Sequence, residues 1–252
     1  HNLQTLRIVM FIENKYLKFK GLNLTIETLD GLLKHNGPVS NIDKINKIIG
    51  AKNFKQKINF KKNSSLEAQI AAISDDIAYN NHDIQDGIKA KLFSINQLCE
   101  INFFKKIYKS YKIKINRSNK DIIVYQIIRD SINLMVQDVI KNSIKSLKKN
   151  KINTKRDVQM YKDKIINFSS KFLSIEKEVK LFLKVNMYNN KTVQFKNNQG
   201  KKIVENLFKI IEKKPKKFII NKSIDSNKYR AISDYISGMT DRYAIQLYKS
   251  HK

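Results

Sequence analysis

Three side chains that could bind a nucleotide lie four residues apart in the segment that follows Ser65. Asp75, Tyr79 and Asp83 lie at positions i, i+4 and i+8, so in a helix they line one side. A carboxylate can bind a divalent cation through a hard oxygen. An aromatic ring one turn later can pack against a sugar or a base, and a second carboxylate can accept a hydrogen bond from a sugar hydroxyl. An amphipathic helix with a solvated acidic face would give the same spacing.

The segment around these residues predicts a single helix, from about residue 65 to residue 90, with two distinct faces. An apolar stripe at helical spacing predicts the face toward the core, and its members are Leu66, Ile70, Ile73, Ile77, Ile84 and Ile88. The second face carries Ala68, Ala71, Ala72 and Asp75. Because small residues allow another element to approach, we expect Asp75 to lie at a packed contact. A carboxylate there needs a cation or a partner charge.

The composition predicts a mostly helical protein, because 252 residues include only 7 Gly and 2 Pro and hairpin signals are scarce. The length suits one large domain or two small ones. Helices are predicted over residues 1–20, 25–35, 65–90, 95–111 and 121–147, then once or twice within 157–188, over 199–212, and from Lys228 onward. The polar break at 148–156 separates two subdomains, or else the helices on both sides share one core.

The charge is strongly basic, with 50 Lys and Arg against 22 Asp and Glu and a net charge of +28. Such a charge favours an anionic partner, nucleic acid or polyphosphate, although the Lys-, Ile- and Asn-rich composition of an AT-rich coding sequence explains part of it. The lone Cys99 allows no internal disulfide, which is typical of a reducing cytoplasm. No apolar stretch approaches the ~20 residues that span a bilayer. We therefore expect a cytoplasmic protein with no membrane partner.

Four blocks of sequence occur in an order that is specific to one family. They are His1-Asn-Leu-Gln-Thr-Leu-Arg-Ile8; Gly21-Leu-Asn-Leu-Thr25 with Leu29-Asp-Gly-Leu-Leu-Lys-His-Asn-Gly-Pro38; Asp75-Asp-Ile-Ala-Tyr-Asn-Asn-His-Asp-Ile-Gln-Asp-Gly87 with Leu66-Glu-Ala-Gln69 before it; and Tyr235-Ile-Ser-Gly-Met-Thr-Asp-Arg-Tyr-Ala244. Together they resemble the HD-superfamily dNTP triphosphohydrolases, the bacterial dGTPase-like proteins. The resemblance spans nearly the whole chain.

The resemblance implies an all-α fold, a multi-helix HD-domain-like bundle. We expect residues 1–147 to be the remainder of the HD-type catalytic domain and 148–252 to be a C-terminal helical region packed on it. Members of the family hydrolyse a dNTP to deoxynucleoside and inorganic triphosphate with a divalent metal, Mg²⁺ or Mn²⁺. The resemblance also suggests a homo-oligomer, and single-stranded DNA is a further candidate partner. Since the chain starts at His1 within a predicted helix, we expect it to be a fragment without the N-terminal helices.

The resemblance also implies roles for individual residues. In the family two His and two Asp hold the metal, and Asp75 matches the last of these ligands, while the other three would precede His1. His1 matches a histidine near the α-phosphate that is proposed to act as acid or base. Tyr79 and Asp83 match positions near the deoxyribose, where Asp83 would bind the 3′-hydroxyl. Arg129 is a candidate phosphate clamp by its spacing from the Asp, or else a structural ion-pair partner.

For three further residues in these blocks the resemblance implies no specific role. Asp76 corresponds to a position beside the phosphates where some relatives carry Lys, so its role is open. Lys34 is interpreted as a helix C-terminal cation that the dipole favours, and His35 as a capping or core histidine.

Two other functions compete with the dNTP triphosphohydrolase hypothesis. One is a nucleic-acid-binding module or degenerate, non-catalytic relative, which the charge of +28 favours. The other is an HD phosphohydrolase that releases orthophosphate instead of triphosphate. In either enzyme these 252 residues alone should be inactive, because one Asp cannot hold a catalytic divalent ion.

Overall fold

The structure is a computed structural model that describes residues 2–40, 43, 45, 49, 58–111, 120–219 and 227–251. Over these residues it is helical and contains no strand, which confirms the predicted all-α fold. The helices are α1 (Asn2–Arg7, continued by a π-helical turn, Ile8–Ile12), α2 (Ile26–Leu33), α3 (Leu66–Lys89), α4 (Ile95–Leu98), α5 (Asn102–Tyr111), α6 (Lys120–Lys149), α7 (Lys155–Met160), α8 (Ser170–Leu183, continued by a π-helical turn, Lys184–Tyr188), α9 (Lys191–Lys213), α10 (Pro215–Phe218), α11 (Lys228–Ser237) and α12 (Asp241–Ser250).

Hydroxyl caps fix the starts of the two helices that matter most for the site. The Thr25 side chain accepts a hydrogen bond from the backbone N–H of Thr28, at 3.3 Å, and caps α2 as predicted. The Ser65 side chain accepts one from the backbone N–H of Ala68, also at 3.3 Å, and caps α3. Such caps satisfy backbone donors that have no partner within the helix. The first turns of α2 and α3 are therefore well defined.

The long helices α3 and α6 run antiparallel and form the largest interhelical contact of the described chain. Late in α3, the Lys89 ammonium lies over the ring of Tyr125, early in α6. Further back, the Asn81 amide lies 3.5 Å from the sulfur of Met135. Their core is formed by Ile77, Met135, Val139, Ile152, Val158, Ile165, Ile166 and Phe168. Residues on both sides of the polar break at 148–156 thus contribute to one core.

A buried glutamine anchors the chain after α7 to the start of α3. The Gln69 carbonyl oxygen accepts hydrogen bonds from the backbone N–H groups of Ile165 and Ile166, at 2.9 and 3.2 Å. Its amide nitrogen donates to the carbonyl of Ser64 at 3.1 Å. Three hydrogen bonds to backbone satisfy a side chain that would be costly to bury without them. Gln69 therefore has a structural role in the Leu66–Gln69 block.

Helix α2 crosses α3 at a position where both helices carry small residues. A Cβ atom built on Gly31 would lie 2.9 Å from the Cβ of Ala68, which is closer than real Cβ contacts. The two backbones can approach only because Gly31 has no side chain. On its other side α2 contributes Leu29 and Leu33 to a second apolar cluster with Leu6 of α1. The alanine face of α3 thus receives another helix, as the sequence predicts.

Three helix predictions were wrong, and in each case a turn explains why. The helix predicted over residues 1–20 ends at Ile12, after which the chain folds back: the N–H of Leu22 donates to the carbonyl of Val9 at 2.7 Å, and Gly21 has a φ of 71°. Only glycine readily adopts that conformation. The single C-terminal helix is two helices, because Gly238 caps the end of α11 and Thr240 caps the start of α12.

The third is the helix predicted over residues 95–111, which is two helices, α4 and α5. Helix α4 ends at Leu98 in a turn where the N–H of Ile101 donates to the carbonyl of Leu98 at 3.1 Å. The helix predicted over residues 199–212 is confirmed but begins earlier, at Lys191.

Residue contacts divide the chain into two compact units, His1–Leu183 and Lys184–Lys252. The first contains both apolar clusters described above. The second has its own core of Ile211, Ile219, Ala231 and Ile232. Assigning residues 1–147 to a catalytic domain and 148–252 to a region packed on it stays a prediction.

Candidate functional site

Asp75 lies midway along α3 with its carboxylate exposed to solvent. Its side chain is 71% exposed, so it is not enclosed by the alanine face as expected from the sequence. The alanine contact with α2 instead lies two turns earlier, at Ala68. A solvent-facing carboxylate keeps its hydration and is available to bind a cation.

The imidazole of His35 faces this carboxylate. Its Nε2 lies 3.7 Å from Oδ2 of Asp75, which is too long for a direct hydrogen bond. Two donors in neighbouring positions around one divalent cation, at about 2.1 Å each, lie roughly 3–4 Å apart, so the spacing of the pair is compatible with a shared cation. Carboxylate and imidazole are also ordinary ligands for divalent metals. In the described part of the chain, however, no group of three or more His, Cys, Asp or Glu could hold a metal ion.

A buried ion pair holds the turn that presents His35. Lys34 is only 2% exposed, and its ammonium lies 2.6 Å from a carboxylate oxygen of Asp30, one turn earlier in α2. The N–H of Gly37 donates to the carbonyl of Lys34 at 2.8 Å, and Gly37 has a φ of 109°, which favours glycine. Lys34 is therefore the C-cap residue of α2, in agreement with a cation at the helix C-terminus, and it is also a buried anchor of the turn.

Sequence analysis assigned His35 to a capping or core role, so it missed the approach of His35 to Asp75. The contact joins residues far apart in the chain, and it depends on the crossing of α2 and α3 at Gly31 and Ala68. A signal was available in the block that contains Gly31 and His35. A glycine inside an otherwise helical pattern indicates a close packing contact.

Asp76, the next residue, takes part in a charge cluster with α8. The Lys180 ammonium lies 3.6 Å from Oδ1 of Asp76 and is also paired with Glu176, one turn earlier in α8. Burial disfavours the charged ammonium, but the hydrogen bond to Glu176 and the charge of Asp76 outweigh it and raise the pKa of Lys180 above its usual value. The Lys180 cation is thus held beside the Asp75 position.

Tyr79 and Asp83 follow Asp75 along α3. The Tyr79 ring is 59% exposed, and Asp83 is partly buried. At 1.5 Å per residue, the three residues span about 12 Å of the helix. The structure thus places all three on one helix, and the exposed ring of Tyr79 is accessible to a ligand.

The two remaining predicted site residues are not brought to Asp75 by the described structure. His1 lies outside the described residues. Arg129 is exposed on α6, where its charge opposes the rise in the pKa of Tyr111 that the hydrogen bond to Asp130 causes. Because α3 and α6 are antiparallel, with Lys89 over Tyr125, Arg129 lies near the end of α3. This position is about ten residues, or roughly 15 Å, from Asp75 along the helix.

A cavity of about 800 Å³ opens beside His35, between α2 and the first turns of α3. Its walls are largely apolar and include Ala68, Ala71, Leu147, Ile152 and Val158. His35 thus lies between this cavity and the Asp75 carboxylate.

The C-terminal block forms the junction of α11 and α12. The hydroxyls of Tyr235 and Tyr243 lie 3.4 Å apart across it. This hydrogen bond, together with burial, raises the pKa of Tyr235 to about 12. Tyr235 and Met239 also pack on the core of this unit. The block therefore has a structural role: it joins α11 to α12 and packs on the core of the second unit. Among the described helices, none is long and apolar enough to cross a membrane.

Comparison with known proteins identifies similar chains. Residues 166–250 match a phosphohydrolase-associated domain. Curated proteins named deoxyguanosinetriphosphate triphosphohydrolase-like are similar over almost the whole chain: one from Pelagibacter ubique is 65% identical over 249 residues, one from Bartonella quintana 38% over 261, and one from Rickettsia felis 35% over 254. These alignments cover 98–99% of this chain and 67%, 65% and 66% of the respective relatives.

The chain thus spans about two thirds of the length of these relatives. The identity of 65% to the Pelagibacter protein is far above what a shared fold alone requires, and the match covers 99% of this chain. The chain therefore belongs to the family of dGTPase-like proteins of the HD superfamily.

Proposed function

We propose that the full-length protein hydrolyses a dNTP, in the manner of a dGTPase, to the deoxynucleoside and inorganic triphosphate. The names of the relatives support a triphosphohydrolase of this kind. One structural observation carries the proposal: the exposed Asp75 carboxylate faces His35, and the same helix continues to the exposed ring of Tyr79 and to Asp83. The site could therefore accept phosphates at one end and a sugar at the other.

In this proposal Asp75 supplies one ligand of a divalent metal, Mg²⁺ or Mn²⁺, and residues outside these 252 supply the others. The bound metal would lower the pKa of a water molecule and offset charge on the triphosphate. His35 would supply a second contact, through an imidazole nitrogen, to the metal or to its bound water, next to Asp75. His1 would donate or accept a proton near the α-phosphate.

The remaining predicted residues would bind the rest of the substrate. The exposed Tyr79 ring would pack against the deoxyribose, and Asp83 would accept a hydrogen bond from the 3′-hydroxyl. Arg129 lies near the end of α3, far from Asp75. It would contact a phosphate only if the substrate extended to it or if another segment of the full-length protein brought a phosphate to it. Its alternative role is an ion-pair partner on α6.

The test uses the natural full-length protein with each dNTP and Mg²⁺ or Mn²⁺, with products separated by ion exchange. Deoxynucleoside and inorganic triphosphate should appear, and the Asp75→Asn variant should lose activity by at least about 100-fold because a metal ligand is weakened. Asp121→Asn is a matched control, since Asp121 is an exposed carboxylate on α6. Orthophosphate as the product would indicate another phosphohydrolase. Full activity in Asp75→Asn would contradict the assigned role.

Binding of single-stranded DNA is a second candidate function, which one surface of the second unit favours. On α9, Lys191, Phe195, Lys202, Lys209 and Lys213 recur at helical spacing along one exposed side. The Phe195 ring is 63% exposed, while Leu207 and Ile211 on the opposite side are buried. Lysines with an interleaved aromatic ring suit a strand whose bases can stack. This function is compatible with hydrolysis at Asp75.

We also infer that the full-length protein forms a homo-oligomer. Helix α6 exposes an apolar stripe formed by Ile122, Tyr125, Val136, Ile140 and Ile144. Arg129 and Asn133 interrupt the stripe between Tyr125 and Val136, and the apolar residues on both sides of them are typical of a surface that another chain segment or subunit covers. Light scattering of the full-length protein would reveal a multiple of the monomer mass if a second subunit covers this stripe.

A further inference from the structure

Lys180 is the cation that the described structure places beside the Asp75–Asp76 pair. It extends from α8, whose Val179 and Leu183 are fully buried and fix the helix against the core. Its ammonium lies 3.6 Å from Asp76 and is also paired with Glu176. The Lys180 side chain is nevertheless about half exposed, so the cluster is open to a ligand that approaches Asp75.

The position of Asp76 creates an electrostatic problem for the proposed reaction. A substrate triphosphate bound through a metal at Asp75 would lie close to the next residue on the same helix. Asp76 carries a negative charge where the resemblance indicates that some relatives carry Lys. Like charges at such distances repel one another, and partial exclusion of water makes the repulsion stronger. A nearby cation would offset it.

We propose that Lys180 compensates the charge of Asp76 and so makes this part of the site compatible with a substrate triphosphate. The inference rests on the proposed function, because it assumes that a polyphosphate binds beside Asp75. Lys180 is then a positioning residue that acts through Asp76. The compensating cation comes from α8, which is distant from α3 in the sequence.

A purely structural role for the same contact makes a different prediction. The Lys180–Asp76 contact joins two partly exposed side chains and contributes little to stability, whereas Glu176 is only 14% exposed, so the loss of its partner in Lys180→Met should lower the unfolding temperature in either case. The charge-compensating role and the structural role differ in their effect on polyphosphate affinity, and in whether that effect depends on Asp76. A structural clamp between α3 and α8 would not change the affinity for polyphosphate.

The experiment measures binding of inorganic tripolyphosphate to the natural full-length protein by titration calorimetry, with and without Mg²⁺. It compares the wild type with Lys180→Met, Asp76→Asn and the double variant. Lys177→Met is the matched control, because Lys177 is an exposed lysine of α8 and its replacement removes the same charge from the chain. The KM and kcat for dGTP are measured on the same five proteins.

Lys180→Met should weaken tripolyphosphate binding and raise KM by about 5-fold with a smaller change in kcat, and Lys177→Met should change affinity by less than about 2-fold. Adding Asp76→Asn should return the affinity of Lys180→Met to near the wild-type value, because the local charge is restored. No loss of affinity in Lys180→Met would overturn the proposal, and so would a double variant that stays as weak as Lys180→Met.

The proposed function and this inference can fail separately. If no dNTP is cleaved but tripolyphosphate binding shows the loss and its rescue, Lys180 retains its role at a polyphosphate site and the hydrolase proposal fails. If dNTP is cleaved but Lys180→Met binds tripolyphosphate like the wild type, the hydrolase proposal stands and the role of Lys180 is refuted.

Discussion

His35 and Asp75 are the two side chains on which the proposed metal site depends. Asp75 is recognisable from its sequence block, but a carboxylate on an exposed helix face could equally be an ordinary solvated residue. The imidazole 3.7 Å away changes that interpretation. A buried Lys34–Asp30 ion pair fixes the turn that carries His35, so the ring is held near Asp75 by the structure around it.

We predict that His35→Gln weakens the binding of Mn²⁺ to the full-length protein by about 10-fold, because residues that ligate a metal or orient its ligands typically contribute this much. Calorimetry or electron paramagnetic resonance would measure the dissociation constant without any turnover. The matched control is His251→Gln, since His251 lies in the second unit beside Lys217 and Ser250. Equal Mn²⁺ affinity in His35→Gln and the wild type would exclude His35 from the metal site.

At the scale of elements, helix α2 brings His35 to α3 through a single close contact. Gly31 and Ala68 allow the two backbones to approach, and His35 follows the end of α2 by two residues. A Cβ on Gly31 would meet the Cβ of Ala68, which cannot rotate away. Any added atom must therefore move α2, and His35 with it.

Gly31→Ala should lower the free energy of unfolding by about 1–2 kcal/mol. Overpacking costs about 1–3 kcal/mol, which exceeds the gain of up to about 1 kcal/mol that alanine brings to a helix interior. The control is Gly200→Ala in α9, where nothing lies within 4 Å of the added Cβ, so this variant should be stabilised by about 0.5–1 kcal/mol. Urea unfolding of both variants measures the difference. A stabilised Gly31→Ala would contradict the close contact.

The helices were largely predictable from the sequence, whereas their partners were not. Helix α3 is bounded by Ser65 and Ala90 almost as its apolar periodicity indicates, because local caps and a repeating stripe are encoded in neighbouring residues. The periodicity also placed Ile70 in the core, yet its side chain is 49% exposed because no described element covers it. The return of the chain at Gly21 and the exposure of Asp75 depend on distant residues, which periodicity does not encode.

At the scale of the whole molecule, the basic charge is distributed over both units. The second unit, Lys184–Lys252, has 16 Lys and Arg against 5 Asp and Glu. A compositional bias toward Lys would scatter lysines without regard to helix faces. On α9, four lysines and Phe195 instead share one side, opposite the buried Leu207 and Ile211. Lys196 and Lys201 of the same helix lie off this side, so the four aligned lysines with Phe195 define a surface whose role in DNA binding can be tested by substitution.

We therefore predict that the protein binds single-stranded DNA with an affinity that falls steeply with salt. Replacing Lys202, Lys209 and Lys213 by Gln should reduce the slope of log K against log salt by about 2, because each phosphate contact contributes roughly 0.7 for a single strand. Fluorescence anisotropy with a labelled oligonucleotide at several salt concentrations would measure the slope. Phe195→Ala should lower the affinity by about 5- to 100-fold with little change in slope, since stacking releases no counterions.

The control for this prediction replaces Lys141, Lys145 and Lys148 by Gln, three exposed lysines on α6 of the other unit. Both triple variants lose the same net charge, so a general attraction between DNA and a cationic protein would weaken equally in both. A localised surface predicts that only the α9 variant loses affinity and slope. Equal losses would mean that the net charge of +28, and not the side of α9 that carries Phe195, determines the interaction with DNA.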